Sequence, residues 1–188
     1  MNRYDDDHRR ILLEVATESI AHGLQHHQAI PLDVSTYPPP LREHRASFVT
    51  LRRASELRGC IGGLEPHRPL VMDVAEHAYA AAFNDPRFAA LTPSEFNDLQ
   101  VHISVLGPSE PIHFDDEEDL LGQLRPKVDG LVLEEPQLGQ RGTFLPDVWQ
   151  SLPEPKQFLG QLKKKAGLPG DYWSATIRVH RYTTESLE

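Results

Sequence analysis

The chain has little cysteine and few positive charges. Cys60 is the only cysteine among 188 residues, which excludes an internal disulfide framework. Acidic side chains outnumber basic ones by 28 to 19, so the formal net charge at pH 7 is −9. A net charge of this sign disfavours nonspecific binding to nucleic acid or to an acidic membrane. We therefore expect no nucleic-acid partner.

Long apolar runs are missing too. No run approaches the roughly 20 residues that a membrane-spanning helix needs. The first residues, Met1–Asp7, are acidic where a secretion signal would be basic and then apolar. We expect a cytoplasmic protein without a membrane partner. Its length predicts a single domain over residues 1–188, with room for two lobes.

Hydrophobic periodicity predicts both helices and strands. A first helix is expected to be capped by Asp7 and to end near His22 or Gly23. The segment Thr92–Glu95 is a capping box that begins a short helix. The clearest strand signal is Leu99–Leu106, where apolar and polar side chains alternate. Further strands are predicted at Ser47–Arg52, Leu57–Leu64, Val128–Glu134, Gly142–Leu145 and Trp173–Tyr182.

These elements predict an α+β fold with a mostly antiparallel sheet flanked by helices. Strands and crossover helices do not alternate regularly, which disfavours a Rossmann arrangement. Two segments are expected to lack regular structure. The Pro38–Pro40 triplet favours an extended loop, and the polar tail after Tyr182 is expected to fray.

The most suggestive stretch is Leu57–Pro66, which reads LRGCIGGLEP. It places Cys60 two residues after Arg58 and among three glycines. Glycine permits a close backbone approach or a bulge within a strand, and a neighbouring guanidinium favours a thiolate. Alternation along an extended strand predicts that Arg58 and Cys60 face the same side.

One interpretation of this stretch is a catalytic or binding site. Cys60 would be the nucleophile, with His102 as the candidate base and His77 or His67 as alternatives, although no spacing connects a base to the cysteine. A small anionic ligand would be held by the charged and glycine residues of the region. The candidate binding residues are Arg58, Gly59, Gly62, Glu65, Asp85 and Arg87.

The other interpretation is structural. A lone cysteine is often a small buried apolar residue. The glycines would then allow close packing against the alanine-rich helix that follows, and Arg58 and Arg87 would pair with Asp85 or Glu65 inside the protein.

A histidine pair near the end of the first helix has two interpretations as well. Glu18, His22 and His26 are spaced four apart and would share one face if the helix extends that far. Histidines at this spacing can chelate a metal, whereas a solvated helix end also favours histidine through the helix dipole. The second interpretation is preferred, and we expect neither a metal nor a cofactor.

Several motifs together resemble the AMME-syndrome candidate-region protein family, called protein A of the AmmeMemoRadiSam system in microbes. The resemblance covers about residues 10–182. Its motifs are Phe48–Leu51, Leu57–Gly62, Ala82–Phe88, Ile103–Leu106, Gly130–Leu131, Phe144–Pro146, Val148–Trp149 and Lys165–Leu168.

The resemblance implies an α+β fold with a larger and a smaller lobe and a cleft between them. It also implies association with a Memo-like protein and a radical-SAM protein, but no established reaction. We therefore expect a binding or accessory component that acts through Leu57–Gly62. The alternative is a thiol-dependent enzyme on a small anionic substrate, and a nucleic-acid-associated factor ranks last because of the net charge.

Overall fold

The computed structural model describes residues 3–188, which form two compact units. The first unit contains the chain through Leu106 together with Glu185–Glu188, and the second contains Gly107–Thr184. Each unit has its own hydrophobic core and its own four-stranded sheet. No helix in the described residues is long and apolar enough to cross a membrane.

Helices and strands are mixed along both units. In chain order they are α1 (Asp6–His26), a 3₁₀ turn (Val34–Thr36), α2 (Pro39–Arg42), β1 (Ser47–Arg53), β2 (Glu56–Gly62), α3 (Leu70–Phe83), α4 (Pro93–Phe96), β3 (Leu99–Leu106), β4 (Glu110–Ile112), α5 (Glu117–Gln123), β5 (Gly130–Glu135), β6 (Gln140–Phe144), a second 3₁₀ turn (Pro146–Gln150), α6 (Pro155–Lys165), β7 (Arg178–Tyr182) and β8 (Thr184–Leu187).

The sheet of the first unit has the strand order β2-β1-β3-β8. Its β1–β2 and β1–β3 pairs are antiparallel. Val49 and Leu51 of β1 are fully buried in a core shared with α1 and α3. Burying an aliphatic side chain of this size stabilises the fold by about 1.5–3 kcal/mol. Thr50 lies between them in the sequence and faces the opposite side of the sheet.

Helix α1 begins earlier in the chain and ends later than its sequence pattern predicts. Asp5, not Asp7, is the N-cap, and its carboxylate accepts from the His8 amide at 2.8 Å. The helix continues through His26, where the predicted end was His22 or Gly23. It stops because His27 adopts the left-handed conformation, with φ 56°.

Two segments predicted to be irregular are regular. The proline triplet leads into α2, since proline is accepted in the first turn of a helix. The tail forms β8 at the edge of the first sheet, next to β3, and Leu187 is fully buried in the core. Long-range pairing and burial overcome the polar composition of this tail.

The sheet of the second unit has the order β4-β7-β5-β6, and its strand pairs are antiparallel. The core contains Trp149 stacked on Phe158, with ring centroids 3.8 Å apart. Lys163 is also fully buried, and its Nζ lies 2.8 Å from Glu117 Oε1. The predicted α+β fold with mostly antiparallel pairing is confirmed, although its strands are divided between two sheets.

Candidate functional site

Strand β2 carries a bulge at Arg58. Leu51 of β1 pairs with Gly59 whereas Arg52 pairs with Leu57, so Arg58 is the extra residue between the two pairs. The bulge breaks the simple alternation from which a shared face for Arg58 and Cys60 was predicted.

Gly59 allows β2 to touch helix α3. A Cβ built on Gly59 would lie 2.1 Å from the carbonyl oxygen of Ala81. Only glycine can occupy a position where two backbones come this close. The close approach predicted from the glycines is therefore present, and it brings the alanine-rich face of α3 under the motif.

Asp85 fastens the turn after α3 onto β2. Its carboxylate accepts from the Cys60 amide at 2.9 Å and from the Arg87 guanidinium at 2.7 and 3.0 Å. Arg87 also donates to the Cys60 carbonyl at 3.2 Å. The Asp85 side chain is only 2% exposed. The Arg87 side chain, together with the backbone amides of Cys60 and Arg87, holds the pKa of this carboxyl well below its usual range despite burial.

Arg58 is bound by Glu95 at the start of α4. Its guanidinium donates to the two carboxylate oxygens at 2.8 and 3.2 Å, and to the Ala89 carbonyl at 2.9 Å. Glu95 also accepts from the Thr92 amide at 2.9 Å, which completes the predicted capping box. The hydrogen bonds from Arg58, and to a smaller extent those from Thr92, lower the pKa of Glu95 to about 2.

Sequence reasoning missed Glu95 as a site residue. It named Asp85 or Glu65 as internal partners for the two arginines. Asp85 does bind Arg87, but Arg58 binds Glu95, 37 residues away in the chain. The only sequence signal at Glu95 was its place in the capping box, which gives no information on a distant arginine.

Both arginines lie beside the ring of Phe88. The guanidinium carbons of Arg58 and Arg87 are 5.8 and 5.5 Å from the ring centroid, within the range of a cation–π interaction. The Arg87 side chain is 54% exposed, whereas that of Arg58 is 13% exposed. We call the residues Leu57–Gly62 and Asp85–Phe88 the motif surface.

Cys60 is half-buried, and its Sγ lies 3.3 Å from the Thr50 hydroxyl. Thr50 pairs with Cys60 on one side and with His102 on the other. The three side chains therefore form a row across one face of the sheet, and strand spacing puts the Cα atoms of Cys60 and His102 about 10 Å apart. His102 Nδ1 lies 3.3 Å from Glu188 Oε1.

The alternative bases are placed elsewhere. His77 lies on α3, with Nδ1 3.1 Å from Asp73 Oδ2. Ser47 donates to the same oxygen at 2.7 Å and is fully buried. This Ser-His-Asp group is not a catalytic triad, because the hydroxyl bonds the carboxylate directly. His67 is exposed in the loop after β2.

The remaining predicted binding residues differ in role. A Cβ on Gly62 would lie 2.3 Å from the Phe48 ring, so this glycine accommodates packing within the sheet. Glu65 is exposed in the loop after β2.

A cavity of about 530 Å³ lies beside β2 and α4. Leu57, one of its residues, is 39% exposed. Both signs of charge line the cavity, whose residues are Arg53, Ala54, Glu56, Leu57, Arg58, Glu95 and Asp98. Within residues 3–188, no three His, Cys, Asp or Glu side chains cluster as a multi-ligand metal centre would require.

Comparisons with known proteins agree with the motif pattern. The AMMECR1 family model matches residues 13–187. A protein of Methanothermobacter thermautotrophicus is 36% identical over 185 residues, which cover 95% of this chain and 93% of that protein. A protein of Thermotoga maritima is 35% identical over 151 residues, covering 79% of this chain and 80% of that one.

A solved structure shares the whole fold. The crystal structure of the uncharacterized protein PH0010 from Pyrococcus horikoshii superimposes with a TM-score of 0.90 at 32% sequence identity. The match covers 98% of this chain and 93% of that one.

Proposed function

Because this chain belongs to the AMMECR1 family, the AMME-syndrome candidate-region family that its motifs resemble, we propose that it is a binding or accessory component. Its partners in this proposal are a Memo-like protein and a radical-SAM protein, and the motif surface is the docking site. The observation that carries the proposal is that Arg58, Asp85 and Arg87 are each already bound within the chain.

These internal bonds favour docking over capture of a small anion. The charge of an arginine that is bidentate to a carboxylate is already compensated, which weakens its attraction for a ligand phosphate or carboxylate. The same bonds hold the surface in one conformation, and a preordered surface loses less entropy when a partner binds. Exposed Arg87 and the Phe88 ring are residue types that are enriched at protein interfaces.

The experiment is a binding measurement with the purified Memo-like and radical-SAM proteins of the same organism. Arg87→Ala should weaken the interaction with at least one of them by about 30-fold, the loss typical of an interface anchor. Arg10→Ala is the matched control, because Arg10 is also about half exposed, at 58%, and forms salt bridges to Asp7 and Glu14 on α1.

Thermal unfolding of both variants separates loss of binding from loss of fold. If the folded Arg87→Ala protein binds both partners as well as the Arg10→Ala protein does, the motif surface is not the docking site. If the unaltered chain binds neither partner, the accessory role itself is wrong.

One observation favours a second candidate, a thiol-dependent enzyme. The Thr50 hydroxyl lies 3.3 Å from Cys60 Sγ, and it connects the cysteine to the row that contains His102. In this candidate Cys60 is the nucleophile toward a small anionic substrate, and His102 is the candidate base.

Thiol reactivity tests the enzyme candidate. Cys60 should react with iodoacetamide faster than free cysteine at pH 7, and His102→Gln should slow it. A rate equal to that of free cysteine, together with an unchanged cellular phenotype in Cys60→Ser, would remove this candidate.

A further inference from the structure

A histidine pair at the end of α1 lies outside the motif surface. His22 and His26 are four residues apart, and α1 continues through His26. Both side chains therefore lie on one face of a regular helix. The sequence left open whether the first helix extends as far as His26, and the structure shows that it does.

The two rings are neighbours in space. Their centroids are 4.2 Å apart and their planes are inclined by 33°. His22 Nε2 is buried and has no hydrogen-bond partner among the described residues. A buried nitrogen without a partner costs free energy, and a bond from this nitrogen to a metal ion would satisfy it.

We propose that His22 and His26 form a two-histidine site for a divalent transition metal of the Zn²⁺, Ni²⁺ or Cu²⁺ type. Imidazole nitrogen suits these ions, whereas Mg²⁺ and Ca²⁺ prefer oxygen ligands. His26 is exposed, so its ring can turn until one nitrogen of each histidine faces the same ion.

Water completes the coordination of this site. Glu18 lies one turn earlier on the helix, but no cluster of three His, Cys, Asp or Glu side chains occurs in residues 3–188. The site also lies at the C-terminal end of α1, where the helix dipole favours a cation.

Calorimetric titration of the full chain with ZnCl₂ and NiCl₂ at pH 7.5 tests the proposal. We expect one ion per chain and no binding of MgCl₂. His22→Ala and His26→Ala should each lower the affinity about 100-fold, because the second ligand of a chelate binds at high effective concentration. His67→Ala, which changes an exposed loop histidine, is the matched control.

Further variants test whether the metal binds to other side chains rather than to His22 and His26. Cys60→Ser should bind like the unaltered chain. Retained affinity in His26→Ala, or a loss in His27→Ala that exceeds the loss in His26→Ala, would overturn the assignment, as would equal binding of Mg²⁺. If His22→Ala does not fold, the His26→Ala variant alone tests the proposal, because His26 is exposed. Circular dichroism then confirms that His26→Ala is folded.

Discussion

A methyl group at Gly59 tests whether the motif glycine is required for packing. The Cβ would lie 2.1 Å from the Ala81 carbonyl oxygen and 3.0 Å from its carbonyl carbon. Non-bonded carbon atoms are most stable about 3.5–4.0 Å apart, so β2 and α3 must separate by roughly 1 Å. Overpacking that shifts the backbone costs about 1–3 kcal/mol. We expect the upper end, because a helix carbonyl cannot rotate away.

Urea unfolding followed by far-ultraviolet circular dichroism measures this cost. Gly59→Ala should lower the free energy of unfolding by about 3 kcal/mol. Gly63→Ala is the matched control, because its Cβ would meet the His77 ring at ordinary distances of 3.7 Å to Cε1 and 3.9 Å to Nε2. This variant should change stability by less than about 0.5 kcal/mol. Adding Ala81→Gly should not rescue Gly59→Ala, since the close contact is with the Ala81 backbone.

Equal stability of the two alanine variants would refute this reasoning. It would mean that β2 and α3 do not approach as closely as described. Rescue by Ala81→Gly would instead place the contact on the Ala81 side chain.

Three further predictions concern stability. The pKa of Glu95 in the folded protein is about 2, below the ordinary 4.5, so the stabilisation that ionised Glu95 provides is present above pH 4.5 and is lost as the pH falls towards 2. Urea titrations should show Glu95→Gln about 1–2 kcal/mol less stable than the unaltered chain at pH 7, and this difference in stability should disappear in acid. Ala54 and Ser55, in the turn between β1 and β2, have positive φ of 49° and 68°, a conformation that Asn and Gly adopt more easily. The double variant Ala54→Asn with Ser55→Gly should therefore raise the free energy of unfolding by about 1 kcal/mol, and an unchanged value would argue against strain in this turn. Glu117→Gln removes the negative charge that compensates the buried Lys163 ammonium and should lower the free energy of unfolding by about 3 kcal/mol. Lys163→Met removes the buried charge itself and should lower it by less in the same measurement.

The internal pairing of the motif changes the meaning of its charged residues. From the sequence, Arg58 and Arg87 are candidate clamps for an anion. In the structure they secure α4 and the Asp85 turn against β2. A substitution there will alter the conformation of the surface as well as its charge, so every binding experiment on it needs a measure of folding.

Local signals in the sequence were enough for several elements. The alternation of Leu99–Leu106 predicted β3 with the bounds that the structure has, and the capping box at Thr92 predicted the start of α4. These signals act between residues only a few positions apart, so they can be recognised without the fold. The motifs also identified the family correctly.

Tertiary structure decided the contacts that give the site its chemistry. Glu95 binds Arg58 from 37 residues away, and Asp85 binds the Cys60 amide from 25 residues away. The burial of His22 Nε2 also depends on how α1 packs. Hydrogen bonding and desolvation depend on distance in space, whereas sequence patterns report separation along the chain. The sequence by itself determined the family and most local elements, and the folded packing decided which charges are paired.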